Sequence, residues 1–371
     1  MLWASVCGGM EIFMNKRAYI VLEDGDVFEG ESVGYDGECV GELVFATGMT
    51  GYLELLTDPS YYGQIVMQTF PLIGNYGVIP EDFESAKPYL SGYIAREICE
   101  YPSNFRCGGK LTDYLKENKI PAVCGIDTRH LTKIVREHGV MNAKISFSDE
   151  MSDDIKNFVI KDAVKNACET SEITKSGSGE RKIVLWDFGR KKNIERELIK
   201  RGCTVYTVPY NISAEEVSAL NPDGIMLSNG PGDPKENTDV MKEIKKVSDK
   251  GIPTFGICLG HQLLALALGG DTEKLKYGHR GANQPALFKD TGKVFITSQN
   301  HGYAVKSDSL PQNARVTFEN ANDGTCEGIE YSDRPAFSVQ FHPEACAGPQ
   351  DTGNLLGLRK EISKDAAQKR Y

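Results

Sequence analysis

Apolar and polar positions change rhythm once along this chain. Residues 18–22 (Ala-Tyr-Ile-Val-Leu) form an apolar run, residues 23–26 (Glu-Asp-Gly-Asp) a polar break, and residues 27–30 a second run. Asp-Gly between two apolar runs predicts a hairpin. Further strands are expected at 40–45 and 64–69, and a glycine-rich loop at 47–52. Residues 128–137 carry apolar side chains at 131, 134 and 135, a helical spacing. The first half therefore reads as a mixed β/α domain over residues 14–150.

From residue 181 the rhythm is regular. Apolar runs at 182–186, 204–208, 224–228 and 254–257 alternate with helical patterns at 193–201, 214–220 and 239–250. That order predicts an α/β domain, residues 181–371, built on a doubly wound, mostly parallel sheet. Residues 151–180 lie between the halves. They turn polar and rich in glycine and serine at 171–180, the composition of a linker.

In doubly wound sheets, ligands gather beyond the C-terminal ends of strands. Two motifs fall there. Asn229-Gly230-Pro231-Gly232 follows the third strand, and Gly256-Ile257-Cys258-Leu259-Gly260-His261-Gln262 follows the fourth. The second has the form of a nucleophile elbow with cysteine in place of serine. A sharp strand-to-helix turn lifts Cys258 from the sheet, and the flanking glycines leave room for the turn and for a substrate. The helix start favours negative charge on the sulfur.

A cysteine nucleophile needs a base and a group that orients it. Among six histidines, His342 ends the apolar run 337–341 and is followed by Pro343-Glu344. In an extended segment, residues two apart point the same way, and Pro343 stiffens that segment. Glu344 is thus placed to hold the imidazole in one tautomer. The backbone N–H of Leu259 and the 230–232 loop are candidates for stabilising an oxyanion. Ser298-Gln299-Asn300-His301-Gly302-Tyr303 reads as a polar loop after a strand at 293–297, suited to a small polar substrate. His261 reads as a structural residue. Gly278-His279-Arg280-Gly281 has the look of an anion site but decides nothing alone.

Composition narrows the field. A net charge of −10 argues against nucleic-acid binding. No apolar run approaches the ~20 residues of a membrane span, so a cytoplasmic location is expected. The ten cysteines are scattered without C-x-x-C pairs or zinc spacing, so reduced thiols and no metal site are expected. Residues 1–13, with Met10 and Met14 as alternative starts, read as a disordered extension or a misassigned start.

Together the elbow and His342-Pro343-Glu344 resemble the class I (triad) glutamine amidotransferases. The resemblance is closer to one family within them, the carbamoyl-phosphate synthetase small chains. It extends to Thr47-Gly48-Met49-Thr50-Gly51-Tyr52, Leu56-Thr57-Asp58-Pro59-Ser60-Tyr61, Gly74-Asn75-Tyr76-Gly77 and Gly125-Ile126-Asp127-Thr128-Arg129. Asp187-Phe188-Gly189 and Gln299-Asn300-His301-Gly302-Tyr303 carry it through the second half. It implies hydrolysis of L-glutamine to glutamate and ammonia. The ammonia would pass to a large chain that uses ATP, magnesium and bicarbonate to make carbamoyl phosphate for arginine and pyrimidine synthesis. No cofactor is implied for this chain itself. By motif position, Cys258 is the nucleophile, His342 the base and Glu344 its orienter. Ser60, Gly230, Gly232, Leu259, Gln262, Asn300, Gly302 and Tyr303 hold the glutamine. A catalytically weak or dead docking subunit, and an amidotransferase of another pathway, are the competing readings. The intact Cys/His/Glu set speaks against the first and the extra N-terminal domain against the second. The resemblance weakens at 353–371, where two glycines precede a nearly all-polar end, and a frayed terminus is expected there.

Overall fold

The computed structural model describes residues 16–353. The expected extension at 1–13 and all but the first residue of the atypical terminus lie outside them. The N-terminal half is a closed barrel. Its strands run in the order Arg17–Leu22, Val27–Ser32, Ala122–Cys124, Gly92–Ile94, Gln64–Gln68, Cys39–Ala46 and Met141–Ser146, which pairs back to the first. The Asp-Gly hairpin is present, with Ile20 opposite Phe28. One core holds Ile20, Leu43, Ile65, Ile94 and Ile145, closed by Leu131 and Val135 of the helix Thr128–His138. That helix starts where the Asp127 carboxylate accepts from His130 N at 3.0 Å, an ordinary N-cap.

The C-terminal half is one ten-stranded sheet. Five strands are parallel: Cys203–Pro209, Arg181–Asp187, Gly224–Leu227, Thr254–Ile257 and Ala336–Val339. Helices cover both faces. Val217, Ile244 and Leu263 pack on one side, while Ile194 and Leu198 pack on the other. The α/β pattern of the sequence is thus realised. Beyond Ala336–Val339 the sheet turns antiparallel, through Cys326–Tyr331, Ala314–Asn320, Thr272–Phe288 and Lys293–Val305.

Two stretches differ from the sequence reading. Residues 298–303 are not a loop but the middle of the strand Lys293–Val305. Asn300, His301, Gly302 and Tyr303 line the cavity beside Cys258, and His301 hydrogen-bonds to Gln299, so the apolar alternation that marks a strand is missing. Residues 278–281 likewise lie within a strand, Thr272–Phe288, between two irregularities of register. The 151–180 stretch carries the short helices Asp153–Lys156 and Ala163–Ala167 and the edge strand Thr174–Ser176. Val164 enters the core of the second domain. Among the described residues, no helix is long and apolar enough to cross a membrane.

Candidate active site

Cys258 ends the strand Thr254–Ile257 and starts the helix Leu259–Ala267. Its φ of 52° and ψ of −105° lie in a region that residues with a side chain rarely adopt. Such backbone costs of order 1–3 kcal/mol and persists only where surroundings enforce it. The enforcement is visible. Cys258 N donates to Val339 O at 2.9 Å, and Gly260 N to Ser228 O at 3.0 Å. The elbow glycines serve packing more than substrate access. A Cβ on Gly260 would meet Leu227 O at 2.3 Å, and one on Gly256 would meet Gly260 O at 2.6 Å. Helix and sheet touch backbone to backbone here. Gly260→Ala is therefore expected to cost about 1–3 kcal/mol in a urea melt. A melt matching the wild type would contradict this contact.

His342 follows the last parallel strand. The segment is not extended as its sequence suggested. It closes a turn in which Ala345 N donates to His342 O at 3.2 Å. The turn brings the same two groups together: His342 Nδ1 lies 2.7 Å from Glu344 Oε1, both buried. His342 Nε2 is buried with no protein group at hydrogen-bond geometry. The sulfur of Cys258 is the neighbour that bears on it. Burial opposes a charge on His342 most strongly, and Lys191 opposes it too. The Glu344 carboxylate and the Cys258 sulfur prevail, and the imidazole is raised to about 9. Glu344 is lowered in turn. Burial works against that lowering, and His342 and Lys191 outweigh it.

The sign of the linkage follows. A histidine raised from 6.5 to about 9 contributes stability that is full below 6.5 and is lost as pH rises through about 9. Glu344→Gln removes the first upward cause. The wild-type advantage over that variant in denaturant melts is expected at pH 6 and should fade by pH 10. An advantage that grew with pH would refute the assignment of charge. Turnover should fall by up to about 10⁴-fold, the scale seen when a histidine loses its orienting carboxylate.

A cavity of about 330 Å³ opens at Cys258, between the barrel and the sheet domain. Ser60, Gly230, Gly232, Gln262, Asn300, Gly302 and Tyr303 all line it. Leu259 does not; its side chain is buried in the core, so only its backbone N–H is on offer. Gln262 Nε2 is tied to Tyr303 O at 2.8 Å and Gln340 Oε1 at 2.9 Å, leaving its carbonyl for a ligand. Ser60 Oγ accepts from Asn229 Nδ2 at 3.0 Å, which leaves its hydroxyl proton to donate elsewhere. The Cys258 sulfur lies 3.6 Å from Asn300 O.

Several residues around the site escaped sequence reasoning. Lys191 Nζ is buried and meets Asp58 Oδ2 at 3.1 Å. Asp58 also accepts from Asn300 Nδ2 at 3.0 Å and Ser60 N at 2.9 Å. Burial works against charge on Lys191, and Asp58, Glu344 and Glu84 together hold it well above the usual lysine range. Glu84 Oε2 accepts from Asn193 N at 3.0 Å, and Asn193 Nδ2 donates to Glu344 O. The barrel thus supplies two carboxylates to the back of the triad. Asp58 sits inside the motif Leu56–Tyr61, and Lys191 just past the end of the strand Arg181–Asp187, so position was the available signal for both. His261 is where its neighbours suggested: Nδ1 lies 2.8 Å from Ser338 Oγ, and burial alone lowers it to about 3.

One set of described residues has metal-ligand chemistry: His279, His301 and Glu327, with ligand atoms within 4.8 Å of one another. Their ring nitrogens are already engaged. His279 Nε2 meets Asp323 Oδ2 at 2.8 Å, and His301 meets Tyr303 O and Gln299 Oε1 at 2.8 and 3.1 Å. The set is a hydrogen-bonded buttress behind the strand that carries Asn300.

A cysteine at a strained helix start, backed by a histidine–carboxylate pair and opening on a substrate-sized cavity, defines a thiol-dependent acyl-transfer site on a doubly wound sheet. The family model for class-I glutamine amidotransferases matches residues 184–356. The model for the carbamoyl-phosphate synthase small chain domain matches residues 20–145. Proteins called carbamoyl phosphate synthase small chain are similar over nearly the whole length. The one from Clostridium perfringens is 53% identical, covering 91% of this chain and 96% of its own. Those from Bacillus cereus and Listeria monocytogenes are 52% and 49% identical, each over 92% of this chain and 94% and 95% of theirs. The chain belongs to the carbamoyl phosphate synthase small chain family.

Proposed function

We propose that this chain is the glutaminase subunit of a carbamoyl phosphate synthase. The observation that carries the reading is Cys258, held at a strained helix start at the cavity and backed by buried His342 and Glu344. With the thiol proton already on His342, the Cys258 sulfur attacks the carboxamide carbon of glutamine. The oxyanion forms against the N–H of Leu259, the first helical donor. His342 returns the proton to the departing nitrogen, which leaves as ammonia. Water, deprotonated by His342, then attacks the γ-glutamyl thioester, releasing glutamate and the thiol. Glu344 keeps Nδ1 occupied so that Nε2 faces the sulfur throughout.

The ammonia goes to a large chain, which brings ATP, magnesium and bicarbonate and makes carbamoyl phosphate in the cytoplasm for arginine and pyrimidine synthesis. No role for a metal or nucleotide in this chain is needed for the chemistry above. The test is glutaminase activity with and without the large chain, joined to trapping with an electrophilic glutamine analogue. A γ-glutamyl-type adduct on Cys258 is expected, with turnover rising when the large chain is added. A docking subunit without catalysis would give neither.

A further inference from the structure

His279, His301 and Glu327 have no part in the mechanism above, yet they stand directly behind one wall of the cavity. His279 and His301 face each other across the two long strands, with ring centroids 5.0 Å apart and ring planes at 87°. His301 sits between Asn300 and Gly302, and all three line the cavity. His301 Nδ1 lies 2.8 Å from Tyr303 O, and a carbonyl only accepts, so Nδ1 carries the proton. Gln262 Nε2 donates to the same carbonyl at 2.8 Å. One ring thus borders Asn300 and Gly302 and anchors the carbonyl that holds Gln262.

Behind that ring lies a polar set. His279 Nε2 meets Asp323 Oδ2 at 2.8 Å, and His279 Nδ1 lies 3.5 Å from Glu327 Oε1. Asn320 Nδ2 stands 3.5 Å from His279 Nδ1 and 3.4 Å from Glu327 Oε1. Glu327 is fully buried, and its Oε2 has no hydrogen-bond partner among the described residues. Stability does not account for this arrangement. Replacing a buried charged pair by apolar side chains of similar volume is commonly neutral or stabilising. The orphan carboxylate oxygen adds a further cost. What the polar set supplies, and an apolar pair would lack, is direction. Its partners on both ring nitrogens hold His279 edge-on to His301.

We propose that His279 and Glu327 are positioning residues for glutamine. Held by Asp323, Asn320 and Glu327, the His279 ring sets the His301 ring, and through it the placement of Asn300, Tyr303 and Gln262 against the substrate. The inference rests on the glutaminase reading and concerns side chains that do not themselves touch glutamine.

The test uses the complex with the large chain and follows kcat and KM for glutamine, ammonia-driven synthesis, and Tm. His279→Leu strands the Glu327 carboxylate and should lower Tm. It should also raise KM about 10- to 100-fold, the scale for losing a group that orients a ligating histidine. The triad is untouched, so kcat should change by less than about 3-fold. Adding Glu327→Leu removes the stranded charge and should return Tm to the wild-type value or above it, with KM still raised. Glu327→Gln alone keeps an acceptor towards His279 and should hold KM near wild type. Ammonia-driven synthesis should be unchanged in all three. A double variant with recovered Tm and wild-type KM would make the pair a support of the fold only and overturn the proposal. Variants that lost kcat and kept KM would overturn it equally. If the double variant does not assemble, His279→Gln, in a complex that still uses ammonia, decides by the same KM criterion. A wild-type complex inactive on glutamine would instead sink the glutaminase reading, so the two failures are distinguishable.

Discussion

Cys258→Ser should lower glutamine hydrolysis by at least about 10³-fold while the assembled enzyme still makes carbamoyl phosphate from supplied ammonia. Serine fits the same space and keeps the backbone that Val339 O and Ser228 O hold in place. What it lacks is the sulfur nucleophile. His342 is held charged by Glu344 and by the sulfur itself, against burial and Lys191. An alcohol oxygen is a poorer nucleophile than sulfur in a site shaped around a thiol, so attack on the amide stalls. Assaying both ammonia sources on one preparation separates chemistry from folding. Undiminished glutamine-driven synthesis would remove Cys258 from the mechanism. Loss of ammonia-driven synthesis as well would mean that the substitution harms assembly rather than attack.

The second large effect is expected at Lys191. Replacing it with methionine removes the one ammonium that Asp58, Glu84 and Glu344 share in the buried space behind the triad. Breaking a buried pair by deleting one partner costs about 3–5 kcal/mol, because the other charge stays behind. Asp58 is held below its ordinary value of 3.8: burial opposes this, and Lys191 and His342 outweigh it. A depressed carboxylate contributes stability above 3.8 that is lost as pH falls through its folded value. Lys191→Met should forfeit most of that contribution and bring acid unfolding to a higher pH. Glu84, already raised chiefly by its burial, should rise further once the lysine is gone. Adding Asp58→Asn to the variant should recover part of the loss, since it removes a stranded charge. Urea melts of the two singles and the double decide it. Strict additivity, within about 0.5 kcal/mol, would show that the pair does not interact.

The elbow was readable because it is local. Gly256, Cys258 and Gly260 lie within five residues, and a strand and a helix flank them. The pairing of His342 with Glu344 was readable from their spacing, although a turn achieves it and not an extended segment. Of the two purposes expected of the elbow glycines, room for the turn is met and room for a substrate is not. Room for a substrate was expected, whereas Leu227 O and Gly260 O occupy the space next to them. The strand at 298–303 was hidden for a related reason. Its side chains hydrogen-bond along a lined cavity, so its pattern is polar where a strand facing a core would alternate.

Periodicity along the chain determined the alternation of strands and helices, the division into two halves and the nucleophile at a strand end. Each depends on residues a few positions apart. What surrounds the nucleophile was settled by contacts between residues far apart in the sequence. Asp58 and Glu84 come from the barrel, Lys191 follows the first parallel strand, and Glu344 follows the last. Arg280 reaches the cavity only because two long antiparallel strands place it across from Asn300. Burial then gives these charges their strength. In water they would be scattered lysines, arginines and carboxylates, and in the low-dielectric space between barrel and sheet they act on one sulfur and one imidazole.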